Sequence, residues 1–299
     1  MNKILILLIL ATTIGYAQTT KIDKNITIDL EELNLKGNVK RVTIYEKTMD
    51  VDTTAIISEE KEFNESGFLL LEKTYRRGKL NTTYKYTYKD RKVETLIETK
   101  LPPYGYTTIK KYVYKDNVIE MKAYENEELT ESFTQKMDKN NNIVYSKHDN
   151  YTFKSYCEHF YEYDNNNNNV TRLKRECYKG NVKNDSYTVD YTYKDNLLVK
   201  THQSNSVFYD GKPTTEIYTY DKLNNYTELS TYINDILENK ETKVYKDNLV
   251  LEHHLFDKDG VKTTVVNYEY DKNKNVSSEV INSIKHKETT IKTYVVEEY

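Results

Sequence analysis

Residues 83–90 read Thr83-Tyr84-Lys85-Tyr86-Thr87-Tyr88-Lys89-Asp90, and this stretch decides the fold. Tyrosine occupies every second position, with Lys and Thr between. A period of two belongs to a β-strand, whose successive side chains point to opposite faces. Thr264-Val265-Val266-Asn267-Tyr268-Glu269-Tyr270 follows the same alternation. One face therefore carries Tyr and Val, and the other Lys, Glu, Asn and Thr. Asp90 opens a turn, because Asp and Asn tolerate left-handed backbone and bond their own main chain.

The phrase recurs along the chain: an aromatic, any residue, Tyr, then Asp or Lys, a short turn, and an aliphatic. Copies stand at Tyr112-Val113-Tyr114, Tyr161-Glu162-Tyr163-Asp164, Tyr191-Thr192-Tyr193, Tyr218-Thr219-Tyr220-Asp221 and Tyr268-Glu269-Tyr270-Asp271. Degenerate copies stand at Phe63-Asn64, Met137-Asp138 and Tyr245-Lys246-Asp247-Asn248. Taking the second aromatic (or its substitute) as marker, the series is 63, 88, 114, 137, 163, 193, 220, 245, 270, a spacing of 23 to 30 residues. Self-similarity at such a period is the signature of a repeat architecture.

A second turn falls midway between markers, as at Arg77-Gly78-Lys79, Lys179-Gly180-Asn181 and Lys258-Asp259-Gly260. Each repeat is thus one hairpin, and consecutive hairpins pair into a meander. The expectation is an all-β chain with on the order of 18 to 20 antiparallel strands. Sheets of more than about ten strands curl or split. The predicted architecture is therefore one long curled or spiral sheet with the tyrosine face inward, a flat single layer being the alternative. The repeats leave no room for a second domain, so residues 18–299 form a single tyrosine-rich unit. A membrane-spanning barrel would need an apolar outer band about 25 Å tall. The face opposite the tyrosines is crowded with Lys and Glu, and Glu297-Glu298-Tyr299 ends the chain on charge, so this barrel is disfavoured.

Residues 1–17 read as a cleaved export signal. Lys3 supplies the positive start, Ile4 to Ala11 the apolar run, and Gly15-Tyr16-Ala17 the small residues before cleavage ahead of Gln18. The run is short of the roughly 20 apolar residues of a membrane span, and no cysteine follows it to carry a lipid. Export to the periplasm or the outer surface is the expectation, with no transmembrane segment after cleavage. The formal net charge is −3 and becomes −4 once Lys3 is removed. There is no basic excess of the kind that binds nucleic acid. Low apolar content with 30% charged residues commonly means disorder, but 30 regularly spaced tyrosines are strong strand formers.

The Tyr-x-Tyr-Asp phrase, carried by Tyr163-Asp164, Tyr220-Asp221 and Tyr270-Asp271, resembles the YD repeats of the Rhs family of bacterial surface and secreted proteins. In that family the turn usually carries a Gly, where this chain has Asn. Leu35-Lys36-Gly37-Asn38-Val39-Lys40-Arg41-Val42 is similar to an opening phrase of exported Bacteroidota proteins. The Rhs resemblance implies a wound β-repeat shell. It says little about activity, because the repeats reach the last residues and no C-terminal cargo is expected.

Chemistry-bearing residues are few. Cys157 and Cys177 flank the Asn-rich turn after Asp164, and if Tyr163 pairs with Thr171 the two cysteines face each other. They are expected to form a disulfide, two free thiols being the alternative. Asp138-x-Asn140-x-Asn142, Asp164-x-Asn166-x-Asn168 and Asp271-x-Asn273-x-Asn275 open like calcium loops but lack the Gly and Glu that complete one, so hairpin turns explain them better. His253 and His254 are neighbours on a strand and point to opposite faces, which argues against a shared metal. No nucleophile elbow, phosphate loop or dinucleotide fingerprint occurs, and no cofactor is implied. Tyr104, Tyr106 and Tyr209, on end hairpins and turns, are the candidate exposed binding residues, since tyrosine rings stack on sugars and line interfaces. The expected function is a non-catalytic envelope or secreted binding or structural protein, its partner a glycan or another envelope protein. The alternative is a polysaccharide-active enzyme whose carboxylates meet across the curl.

Overall fold

A computed structural model describes residues 28–299, apart from 32, 50–53, 165–168 and 206–209. The export-signal expectation therefore lies outside the described residues. Among the described residues twenty strands follow one another. They are β1 Val39–Thr48, β2 Ile56–Phe63, β3 Leu69–Arg76, β4 Lys79–Lys89, β5 Lys92–Lys100, β6 Thr107–Lys115 and β7 Val118–Glu125. Next come β8 Glu128–Met137, β9 Ile143–Asn150, β10 Ser155–Tyr163, β11 Val170–Lys179, β12 Val182–Lys194, β13 Leu197–Gln203 and β14 Thr214–Tyr220. The last are β15 Tyr226–Ile233, β16 Ile236–Lys246, β17 Leu249–Asp257, β18 Lys262–Tyr270, β19 Val276–Ser283 and β20 Glu288–Glu298.

Each strand pairs antiparallel with the next, as the hairpin repeat predicts. The ends then meet: β1 pairs with β20 through Val42↔Val296, Ile44↔Tyr294 and Glu46↔Lys292, as well as with β2. The sheet is thus a closed barrel and not a spiral. Closure leaves no free strand edge among the described residues. Marker turns gather at one mouth, together with the C-terminus, and the midway turns at the other; we call these the marker mouth and the far mouth.

The repeat phrase has a physical basis at the marker mouth. Every marker aromatic pairs with the aliphatic or aromatic that follows its turn, among them Phe63↔Leu69, Tyr88↔Val93, Tyr114↔Ile119 and Tyr220↔Tyr226. A bulge falls at eight of these nine pairs. A bulge bends and twists its strand locally, which is what a closing sheet needs. Seven of the nine turn-exit residues are buried, with Leu69, Val93 and Ile119 each 1% exposed.

The marker hydroxyl then bonds one repeat back. Tyr88 donates to the Leu69 carbonyl at 2.8 Å, Tyr114 to Val93 at 3.0 Å, Tyr163 to Ile143 at 2.8 Å, and Tyr220 to Leu198 at 2.8 Å. Tyr245 donates to Tyr226 at 2.7 Å and Tyr270 to Val250 at 2.8 Å. Six of the nine repeats are therefore latched to the turn of the one before. Replacing Tyr270 by Phe keeps the ring and removes the latch, and should lower stability by about 1 kcal/mol. A denaturant midpoint unchanged from wild type would show that water replaces the bond without loss.

The Asp of the phrase caps its own turn. Asp138 Oδ1 accepts from the main-chain N–H of Asn140 and Asn142, both at 2.8 Å, and Asp271 Oδ1 does the same for Asn273 and Asn275. Asp221 accepts from Leu223 and Asn225. These carboxylates serve the hairpin turn. Two-residue turns such as Asp90-Arg91, Asp195-Asn196 and Asp247-Asn248 carry positive φ at both positions, the geometry that matches strand twist in a tight hairpin.

The N-terminal segment crosses the marker mouth. Lys36 exchanges two bonds with the fully buried Asn275: its N–H donates to Oδ1, and its carbonyl accepts from Nδ2 at 3.0 Å. Gly37, at φ +92°, passes so close to Glu298 that a Cβ would stand 3.3 Å from its Oε1. Ile28, Leu30, Leu33 and Leu35 pack on a cluster of Val39, Val42, Phe63, Leu69, Tyr86 and Val93. This gives the Leu35–Val42 phrase a structural role: it anchors the chain start and feeds β1 into the ring.

Candidate functional site

The tyrosine face is the concave, buried face, as expected. Thr82, Tyr84, Tyr86 and Tyr88 of β4 point in, while Lys85, Thr87 and Lys89 are exposed outside. The expectation that charge would be confined to the outer face is corrected. Two-residue steps back from a marker reach Tyr218 and Glu216 on β14, and Lys243 and Glu241 on β16. These charged side chains share the tyrosine face.

They build a polar cluster on the inner wall of β13–β17. Glu216 accepts from the Tyr218 hydroxyl at 2.6 Å and from Thr201 Oγ1 at 3.0 Å. Glu241, 7% exposed, accepts from the Tyr226 hydroxyl through Oε1, and His253 Nε2 lies 3.1 Å from Oε2. Lys243 Nζ sits 4.6 Å above the Tyr226 ring centroid, a cation–π distance. The rings of Tyr218 and Tyr226 are 6.0 Å apart, and those of Tyr220 and Tyr226 6.3 Å.

Burial pushes the Glu241 carboxyl up, but the bonds from His253 and Tyr226 and the charge of Lys243 outweigh it and hold it below the ordinary value of 4.5. Burial first, and the Glu241 carboxylate second, push the Tyr226 hydroxyl up, so it stays a proton donor. The same two causes, with Glu216 as the carboxylate, raise Tyr218. Burial lowers the Lys243 ammonium, opposed by Glu241. Tyrosine–carboxylate couples recur around the wall: Tyr294 donates to Glu279 at 2.8 Å. Lys61 reaches Glu72 at 3.4 Å, and Lys100 reaches Glu98 at 3.4 Å.

The outer wall has a different chemistry. Ion pairs run across it, Lys73–Glu60 at 3.3 Å and Lys240–Glu228 at 2.7 Å at mid-strand, and Arg41–Glu62 at 3.2 Å and Arg172–Asp190 at 2.7 Å toward the marker mouth. A charge facing lipid at mid-bilayer costs about 2–4 kcal/mol in a barrel, so this wall suits water. No helix of the described residues is long and apolar enough to cross a membrane.

The sequence candidates lie elsewhere. Tyr104 and Tyr106 share the loop between β5 and β6 at the far mouth. Tyr104 is 65% exposed, whereas Tyr106 is half-buried with Lys100 Nζ 4.9 Å from its ring centroid. Tyr209 lies outside the described residues. Cys157 and Cys177 face each other as a disulfide across β10 and β11, with Cα atoms 4.1 Å apart. The pairing differs in one detail: a bulge shifts Tyr163 from Thr171 to Val170. His253 and His254 take opposite faces, the first bonded to Glu241 and the second to Glu252. Glu216, Glu241 and Lys243 were not singled out from sequence, although period-two counting from Tyr220 and Tyr245 places all three on the inner face, and His253 was weighed only as half of a metal pair.

No family model matches the chain, and no curated protein matches it. Among solved structures, a porin-like protein from Bacteroides uniformis aligns over 88% of this chain and 98% of its own, with 11% identity and a TM-score of 0.39. A porin-like protein from Bacteroides vulgatus aligns over 62% and 100%, with 11% identity and a TM-score of 0.32. A TcdB2-TccC3 structure without its hypervariable C-terminal region aligns over 76% of this chain and 13% of its own, with 9% identity and a TM-score of 0.37.

Proposed function

We propose that this chain is a non-catalytic exported binding protein of the cell envelope, and that it holds a polyhydroxylated, glycan-type ligand against its inner wall. One observation carries the proposal. Closure of 20 strands makes a concave surface of tyrosines and carboxylates too wide for its own side chains to fill. At a strand spacing of 4.8 Å and a tilt near 40°, a round section would measure about 40 Å across. Barrels of about eight strands are already filled by side chains, whereas those of 16 to 18 strands leave an aqueous channel. Tyrosine rings offer flat faces to sugar rings, and the carboxylates and lysines beside them offer acceptors and donors to hydroxyls.

The acids argue for binding over catalysis. A glycosidase needs one carboxyl kept protonated by a raised pKa. On the inner wall the Glu241 carboxyl moves downward, and Glu216 and Glu241 are both engaged by wall donors. The test is a panel of soluble polysaccharides and oligosaccharides titrated calorimetrically into residues 18–299, with product analysis of each mixture. Saturable binding with intact ligand is the expected result, weakened at least tenfold by Tyr218→Ala. Breakdown of any ligand would overturn the non-catalytic assignment, and absence of binding across the panel would overturn the glycan assignment.

A further inference from the structure

The far mouth carries exposed apolar side chains on turn after turn. Tyr104 follows β5, Phe153 follows β9, Val182 follows the β11 turn, Ile236 follows the β15 turn, and Val261 follows β17. These five are between 58% and 71% exposed, and Ile284 after β19 is 49% exposed. At the marker mouth the comparably exposed side chains among the described residues are Leu223 at 71% and Tyr299 at 48%. Isolated exposed apolar residues are ordinary. A set concentrated on one rim, six side chains against two at the other, is a directional feature.

We propose that the far rim docks on the interface of a lipid bilayer, so that the barrel stands on a membrane surface without spanning it. Two observations select lipid over a protein partner. Hairpin tips on a barrel rim lie two strands apart, about 10 Å. They are therefore separate points around a ring and not the continuous patch that a protein interface packs against. Each such tip can enter a fluid interface independently. The tips include Tyr and Phe, the side chains that settle at headgroup depth.

Cations adjoin them: Lys154 follows Phe153, Lys285 follows Ile284, and Lys258 shares a turn with Val261, all three exposed. Asp235 and Asp259 stand on the same rim, so attraction to anionic lipid is modest and apolar insertion has to carry the contact. The mid-strand ion pairs of the outer wall stop insertion at the rim. This docking is independent of what the inner wall holds.

The chain has no tryptophan, which makes a single-site probe possible. Phe153→Trp in residues 18–299, mixed with vesicles of phosphatidylethanolamine and phosphatidylglycerol, should show a blue-shifted emission and quenching by brominated acyl chains. Leu223→Trp at the opposite mouth should show neither. In vesicle flotation, the combined change Phe153→Ser, Ile236→Asn and Val261→Ser should reduce binding at least tenfold, while Leu223→Asn leaves it unchanged. All these side chains are solvent-facing, so circular dichroism should stay that of wild type. Failure of the wild-type chain to float with vesicles would overturn the proposal. So would equal binding by the triple variant, or binding abolished by high salt, which would mean electrostatic adsorption without insertion.

Discussion

Replacing Glu241 by alanine is expected to lower stability by about 3–5 kcal/mol at neutral pH, the range found when one partner of a buried charged network is removed. The loss has three parts. The Tyr226 hydroxyl loses its acceptor, His253 loses the carboxylate 3.1 Å away, and the buried Lys243 loses the negative charge nearest to it. Glu241→Gln keeps an acceptor for Tyr226 but removes the charge, and should retain roughly half of the stability lost in the alanine variant. The effect has a pH signature. Glu241 titrates below 4.5 in the folded chain, so its ionised form stabilises the barrel above the unfolded value. That contribution disappears as the pH falls through the folded value. Denaturant midpoints of wild type and Glu241→Ala should therefore converge as the pH is lowered through and below 4.5. A constant gap down to the acid limit would show that packing, and not the carboxylate, holds this part of the wall.

The position of Glu241 also marks what was legible in the sequence and what was not. The hairpin repeat, the strand number and the inward tyrosine face follow from local signals, because period two and turn residues are properties of a few neighbouring positions. The pairing of Cys157 with Cys177 was equally local, needing only one turn as origin. Counting by constant pair sums missed the bulge at Tyr163, because a bulge inserts one unpaired residue without a distinctive residue type at this site. Ring closure had no local signal at all: Val42 and Val296 meet across nearly the whole length of the described chain.

The inner charges were misplaced for a different reason. Lys and Glu were assigned outward by residue type, when the period counted from Tyr245 puts Lys243 and Glu241 inward. A wide barrel can keep such charges on its inner wall because that wall is not a dry core. Its carboxylates find tyrosine hydroxyls, histidine and lysine close by, so the burial of each is offset by hydrogen bonds.

Reducing the Cys157–Cys177 disulfide should lower stability by about 3 kcal/mol in the chain-entropy model, given a sequence separation of 20. The measurement compares denaturant midpoints of one protein with and without a reductant, so no side chain is exchanged and no cavity is made. Circular dichroism should be unchanged on reduction, because the ladder of β10 and β11 runs from Ser155↔Lys179 to Tyr163↔Val170 and does not depend on the cross-link. A midpoint insensitive to reduction would mean that the unfolded hairpin already holds the two cysteines together.

The same comparison in the Glu241→Ala background tests the ring itself. The disulfide joins β10 and β11, whereas Glu241 lies on β16 against β15 and β17, so the two changes share no partner and their effects should add in one transition. An open repeat array can lose its weaker part first, since each unit depends only on its neighbours. A closed barrel has no end from which to fray, and opening it anywhere exposes two strand edges at once. One shared transition, shifted by both changes, is the behaviour of a closed ring. Two transitions, each moved by only one of the changes, would mean that the contact between β1 and β20 does not couple the two arcs.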